Sequence, residues 1–224
     1  MKRSEVNGYL KWAEAFLKEY KFPLPRFAHW SPAEWTANRQ KAAEIFETNL
    51  GWDITDFGSG DFEKIGAVLF TIRNGVHDKP GVGSPYAEKL ILLKDGQYLP
   101  CHYHAVKTED IINRGGARIF MKLYNARPDG SVDTESDVHV YSDGILLTVK
   151  PGEVFYVEPG DSVRLTPRTY HIFGAAGGNL IAGEVSSVND DHTDNYFSEK
   201  RPRFPAIEED CEMLYPLVGD YGTL

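Results

Sequence analysis

Apolar side chains near the start recur at Val6, Leu10, Trp12, Ala13, Phe16 and Leu17, a spacing mostly of three and four. That spacing lays one apolar stripe along a helix over residues 2–20. Pro23 and Pro25 end it, because proline lacks a backbone N–H and has a fixed φ. Ser31-Pro32-Ala33-Glu34 combines a capping box with proline at the first helical position, and opens a second helix expected to run to Asn49, ahead of Gly51.

After Gly51 the pattern shortens. Runs rich in β-branched and aromatic residues predict strands over 67–73, 87–93, 98–104, 117–124, 138–141, 145–149, 154–157, 162–165, 170–173 and 180–186. Between them stand turn signals, among them Lys94-Asp95-Gly96, Asp143-Gly144, Pro159-Gly160 and Gly177-Gly178. Many short strands at close spacing imply an antiparallel sandwich or barrel. The reading is therefore mainly β, with residues 1–50 as a helical extension and 51–224 as a barrel domain, the two forming one structural unit. The tail from Asp190 onward is irregular but aromatic, which suits a segment packed across the barrel rather than a disordered one.

Composition narrows the partners. The 224 residues hold 24 Lys and Arg against 33 Asp and Glu, a formal charge of −9, and no long basic run, which argues against nucleic acid and anionic membrane. No window has the roughly 18 consecutive apolar residues of a membrane span, and the start has no secretion-signal run, so a cytoplasmic location is expected. Two cysteines, Cys101 and Cys211, make no disulfide framework.

Candidate chemistry concentrates in Gly96 to Gly116. His102 and His104 are one residue apart, so on a strand their imidazoles share a face. Glu109 follows closely enough for a turn to bring a carboxylate to the same point, and His171 on a later strand is the natural fourth ligand. Three imidazole nitrogens and one carboxylate oxygen suit Mn, Fe, Co, Ni or Zn, and suit Ca or Mg poorly.

Gly96, His102, His104, Glu109 and Gly116 resemble the first cupin motif at every position, which implies a jelly-roll barrel with the metal inside its mouth. The second motif departs from the family pattern: Pro167 lies four residues before His171 and the intervening glycine is absent. More widely, the words YAEKLILL, HYHAVKTEDIINRGG, LTPRTYHIFGA, GEVSSVNDDHTDN and RFPAIEED resemble the D-lyxose isomerase family. The resemblance implies a divalent ion, usually manganese, held by His102, His104, Glu109 and His171, and interconversion of an aldose with its ketose. It also implies Lys107 and an acidic residue of the IEED segment near the sugar, with Glu208 preferred over Glu209.

Moving hydrogen between the first two sugar carbons calls for a Lewis acid, a carboxylate base and a cation. Glu208 is read as the base and Lys107 as the cation. Glu184, a charge among apolar strand residues, and Lys89, an unusual lysine in a core strand, are further candidates to line the cavity as catalytic and substrate-binding groups. The expected substrates are D-lyxose and D-xylulose, with D-mannose and D-fructose alongside, interconverted through a cis-enediol. Two other readings of the same constellation are a cupin dioxygenase with an iron site and a sugar-binding cupin without turnover. The aromatic-rich segment from Phe22 to Trp35 offers apolar surface for a homodimer.

Overall fold

The computed structural model describes residues 1–224. Three helices, α1 (Arg3–Glu19), α2 (Pro32–Asn38) and α3 (Ala43–Glu47), precede twelve strands. The strands are β1 (Gly51–Thr55), β2 (Ala67–Gly75), β3 (Gly83–Leu93), β4 (Tyr98–Tyr103), β5 (Glu109–Ala126) and β6 (Val132–Asp133), then β7 (Val138–Ser142), β8 (Ile145–Val149), β9 (Phe155–Val157), β10 (Ser162–Leu165), β11 (Thr169–Ser187) and β12 (Tyr196–Phe197). All pair antiparallel, in the order β1-β2-β3-β11-β5-β10-β7-β8, while β4 joins β11 to β12, and β6 and β9 pair with β5. The long strands β5 and β11 run beside each other and carry the sheet around, so the architecture is a jelly-roll barrel with helices laid on one side.

Side-chain alternation decides what lies inside. On β3, Ile91 and Leu93 join the barrel core with Leu69, Ile111, Met121, Phe173 and Ala182, while Leu90 and Leu92 face outward onto α1. α1 covers them with Val6, Leu10, Ala13 and Leu17, the stripe visible in its sequence. β3 is thus buried on both faces, which is why its second half reads as an unbroken apolar run after Lys89. Arg3 closes the arrangement: its guanidinium, 1% exposed, bonds Glu209 at 2.6 and 2.9 Å and Asp220 at 2.8 and 3.0 Å, tying the first helix to the chain's last segment.

Three expectations are corrected. The second helix is broken into α2 and α3 by a turn over residues 39–42, where the polar run Asn38-Arg39-Gln40-Lys41 has no apolar side chain to bury. The runs at 170–173 and 180–186 are one strand, β11, and Gly177-Gly178 marks a register shift against β5 rather than a turn. Strands β1, β6 and β12 escape the pattern, two of them being two residues long. Within the stretch from Phe22 to Trp35, Trp35 is 2% exposed, packed against Phe27, Trp30, Phe46 and Tyr221, while Phe22, Leu24, Phe27 and Trp30 stay half-buried. No helix is long and apolar enough to cross a membrane.

Candidate active site and metal centre

Strand pairing assembles the ligands. β4 lies against β11 so that His102 is the cross-strand partner of His171. His104 follows directly after β4, and Glu109 is the first residue of β5. The turn between them is held by Asp194, whose carboxylate accepts from the N–H groups of Ala105 at 2.6 Å, Val106 at 3.2 Å and Lys107 at 3.0 Å. Arg168 closes the other side by donating its backbone N–H to the carbonyl of His104 at 2.8 Å. It stands three residues before His171 with φ +67°, the left-handed conformation that favours glycine. The turn of the second cupin motif therefore persists without its glycine, on a residue whose guanidinium also reaches the carbonyl of Arg127.

The tautomers follow from the partners of the rings. Nδ1 of His102 faces the carbonyl of Pro100 at 2.8 Å, Nδ1 of His171 faces that of Thr169 at 3.0 Å, and Nδ1 of His104 faces that of Asp194. A carbonyl can only accept, so each Nδ1 carries the proton and each Nε2 presents a lone pair. Those lone pairs converge: His102 and His171 Nε2 are 3.1 Å apart, and Glu109 Oε1 is 3.2 Å from His171 Nε2 and 3.5 Å from His104 Nε2. Burial pushes the imidazoles of His102, His104 and His171 toward the neutral form, His104 to about 4 with Lys107 adding to the effect.

Four acceptors meeting in a dry space with no proton between them are repulsive unless a cation joins them. Glu109 Oε1 is buried without a hydrogen-bond partner, the orphan that such a cation would satisfy. Three imidazole nitrogens and one carboxylate oxygen, each imidazole oriented by a main-chain carbonyl, fit a divalent transition metal.

Next to these ligands lies a pair of buried ions. Lys107 Nζ is 2.8 Å from Glu109 Oε2, 2.8 Å from Glu184 Oε1 and 3.2 Å from Asn189 Oδ1. Burial opposes the charge on both Lys107 and Glu109, yet the attraction between them wins: the ammonium is held above its ordinary range and the carboxyl well below. Lys89 is the cross-strand partner of Glu184 and shares the inward face with Ile91 and Leu93. Phe197 of β12 covers His102, with ring centroids 5.5 Å apart.

The structure therefore brings together His102, His104, Glu109, His171, Lys107, Glu184 and Lys89. It does not bring Glu208. That residue is exposed, and its backbone pairs with Met1 and Arg3 beside α1. Reading Glu208 as the base is corrected on that ground, and Glu209 is committed to Arg3. The sequence reading missed Asp194, Asp191 and Arg203. All three stand in words that carry the resemblance, but none has a spacing signal that assigns it a partner.

A jelly-roll barrel with three convergent histidines and a buried glutamate beside them is a cupin-like fold with a candidate metal centre. The family model described as D-lyxose isomerase matches residues 1–221, and the chain belongs to that family of sugar isomerases. It is 43% identical over 225 residues to a D-lyxose/D-mannose isomerase of Serratia proteamaculans, covering 99% of this chain and 98% of that one. It is 40% identical, with the same coverage, to a D-lyxose/D-mannose isomerase of Escherichia coli O157:H7. Among solved structures, a mutant L-ribose isomerase of Acinetobacter sp. DL28 in complex with L-ribose superposes with a TM-score of 0.60 at 14% identity, over 93% of this chain and 98% of that chain. L-ribose isomerase of Geodermatophilus obscurus gives 0.57 at 17% identity, over 93% and 98%. These two share the fold.

Proposed function

We propose that this enzyme interconverts D-lyxose with D-xylulose and D-mannose with D-fructose, using a divalent ion, Mn2+ in preference to Co2+, Fe2+, Ni2+ or Zn2+. The observation that carries the metal is the convergence of three Nε2 lone pairs and the orphaned Glu109 Oε1. The substrates are those in the names of the relatives at 43% and 40% identity. His102, His104, Glu109 and His171 hold the ion. When bound, it polarises the oxygens on carbons 1 and 2 as a Lewis acid.

The remaining work falls to Glu184 and Lys107. Going from aldose to ketose, carbon 2 loses a proton and carbon 1 gains one, while Lys107 donates a proton to oxygen 1 and regains one from the hydroxyl on oxygen 2. Glu184 is the buried carboxylate nearest the centre that is not itself a ligand, so it takes the proton from carbon 2 and returns it to carbon 1. Lys107 stands between Glu184 and Glu109 and steadies the negative oxygen of the cis-enediol that forms in between. Lys89, beside Glu184 and opening onto the adjoining cavity, binds a sugar hydroxyl. Phe197 of β12 packs against the His102 ring and holds it in place.

The reading includes a cytoplasmic homodimer in which residues 1–50 and 51–224 form one unit. The half-buried side chains between Phe22 and Trp35 and exposed ones such as Tyr141, Ile145 and Leu146 of the β7–β8 hairpin offer apolar surface for a subunit contact. The test is an assay of the Mn2+-loaded protein on a panel of aldoses in D2O. Turnover of D-lyxose and D-mannose with solvent deuterium at the reacting carbon is expected. No turnover of either sugar with metal bound overturns the assignment.

A further inference from the structure

The buried charges do not stop at Glu184. Lys89 Nζ lies 3.8 Å from Glu184 Oε1 and 3.5 Å from Asp191 Oδ2. Arg203 Nη2 then bonds Asp191 at 3.0 Å and Asp53 at 2.7 Å. From the metal ligand outward the order is Glu109, Lys107, Glu184, Lys89, Asp191, Arg203, Asp53, alternating in sign at every step. The far members border a cavity of about 710 Å³ whose lining includes Lys89, Asp191, Arg203, Leu69 and Thr71. The three histidines are not in that lining. Lys89 is the shared wall, with the cavity on one side and Glu184 on the other.

Two atoms in this row lack what a purely structural ion chain would give them. The Lys89 side chain is 4% exposed, and its ammonium is at ion-pair distance from two carboxylates without a hydrogen bond to either. Nη1 of Arg203, a side chain 9% exposed, is buried with no partner at all. Leaving Arg203 Nη1 buried and unused is costly, Lys89 borders the cavity with its donors free of hydrogen bonds, and a ligand that supplies acceptors recovers the cost. A hydroxyl accepts from a cation and donates to a carboxylate at once, so a row of alternating charge matches successive hydroxyls of a sugar chain.

We propose that Asp191 and Arg203 form the subsite that binds the sugar hydroxyls remote from carbons 1 and 2, with Lys89 linking it to the reacting end. This rests on the isomerase reading above. The charges of Lys89, Arg203, Asp53 and Asp191 cancel, which suits a neutral polyol. The rest of the cavity wall adds Glu47, Asp78, Asp190 and Asp194 and no further lysine or arginine. A phosphorylated sugar would meet that excess of negative charge, so the subsite selects the free sugar.

The experiment compares the Mn2+-loaded enzyme with Asp191→Asn and Arg203→Lys. Steady-state kinetics on D-lyxose, calorimetric binding of D-fructose, Mn2+ affinity by electron paramagnetic resonance and melting temperature are measured for each. The expected result is a rise in KM and in the D-fructose Kd of roughly tenfold or more, with kcat falling far less and Mn2+ affinity within about twofold. D-fructose 6-phosphate should compete at least tenfold more weakly than D-fructose against the wild-type enzyme. Unchanged KM and Kd overturn the subsite, as does a loss confined to kcat. If Arg203→Lys melts early, the isosteric Asp191→Asn decides alone. Wild-type protein that binds D-fructose without converting it removes the isomerase reading and leaves the subsite to be judged by the Kd values.

Discussion

Lys107 Nζ and Glu109 Oε2 are 2.8 Å apart, both buried, so the one carboxylate that faces the three imidazoles is also bonded through its other oxygen to the central ammonium. Metal ligand and cation are one charge-assisted unit, and Glu184, also 2.8 Å from that ammonium, joins it from the far side. Removing the cation strands two carboxylates in a dry space. Each would then favour its protonated form, which cannot ligate a metal or accept a proton.

Lys107→Met therefore lowers turnover by a factor on the order of 10² or more and also weakens Mn2+ binding, the second effect arising through Glu109. Metal titration of the purified variant checks it. Wild-type metal affinity in that variant would separate Lys107 from Glu109 and confine it to the sugar.

Glu184→Gln keeps shape and loses the base. Turnover should fall on the order of 10² or more while metal content stays near wild type. Glu208→Gln should leave kcat and KM unchanged, because that side chain is exposed beside Lys2 and outside the charged row. Measuring the two variants side by side tests the correction: a large loss in Glu208→Gln with Glu184→Gln active would reverse it.

How much of this was legible depends on range. His102, His104 and Glu109 lie within eight residues, and the alternation of a strand places the two imidazoles together without knowledge of the rest. His171 and Glu184 depend on which strand comes alongside, which no local pattern shows; the structure pairs His171 with His102 and Glu184 with Lys89. Lys89 and Glu184 stood out because a charge among core residues needs a partner: Glu184 bonds Lys107, and Lys89 lies between Glu184 and Asp191. Asp191, Asp194 and Arg203 gave no such sign: acids and an arginine in a polar, irregular tail read as solvated until the tail is seen to cross the barrel mouth. Glu208 failed for the same reason in reverse, since nothing local distinguishes it from Asp191.

Gly116 is a second point where the backbone decides. Its φ is +87°, and a Cβ there would lie 2.2 Å from the carbonyl oxygen of Asn179 across the β5–β11 pair. Gly116→Ala combines a left-handed strain of about 1–2 kcal/mol with that collision. At about 2–4 °C per kcal/mol for a chain of this size, a drop in melting temperature of roughly 5 °C or more is expected. Calorimetry of the apoprotein checks it, and a shift near zero would mean that the β11 bulge relaxes freely.

Stability of the metal-free protein should fall in mildly acidic solution. His104 titrates near 4 in the folded chain against 6.5 as its ordinary value, lowered first by burial and then by Lys107, and His102 and His171 move in the same direction. Below 6.5 the unfolded chain therefore binds protons that the folded chain refuses, and the difference grows until pH reaches the folded value. The loss develops between pH 6.5 and about 4, in the sense of decreasing stability with decreasing pH, and reaches on the order of 3 kcal/mol for His104 alone. A divalent ion held by these rings needs the same neutral imidazoles, so acid also weakens metal binding. Chemical denaturation of apoprotein at pH 7.5, 6.5, 5.5 and 4.5 measures the trend. A flat profile across those four values would mean that the three rings are not held neutral by their burial.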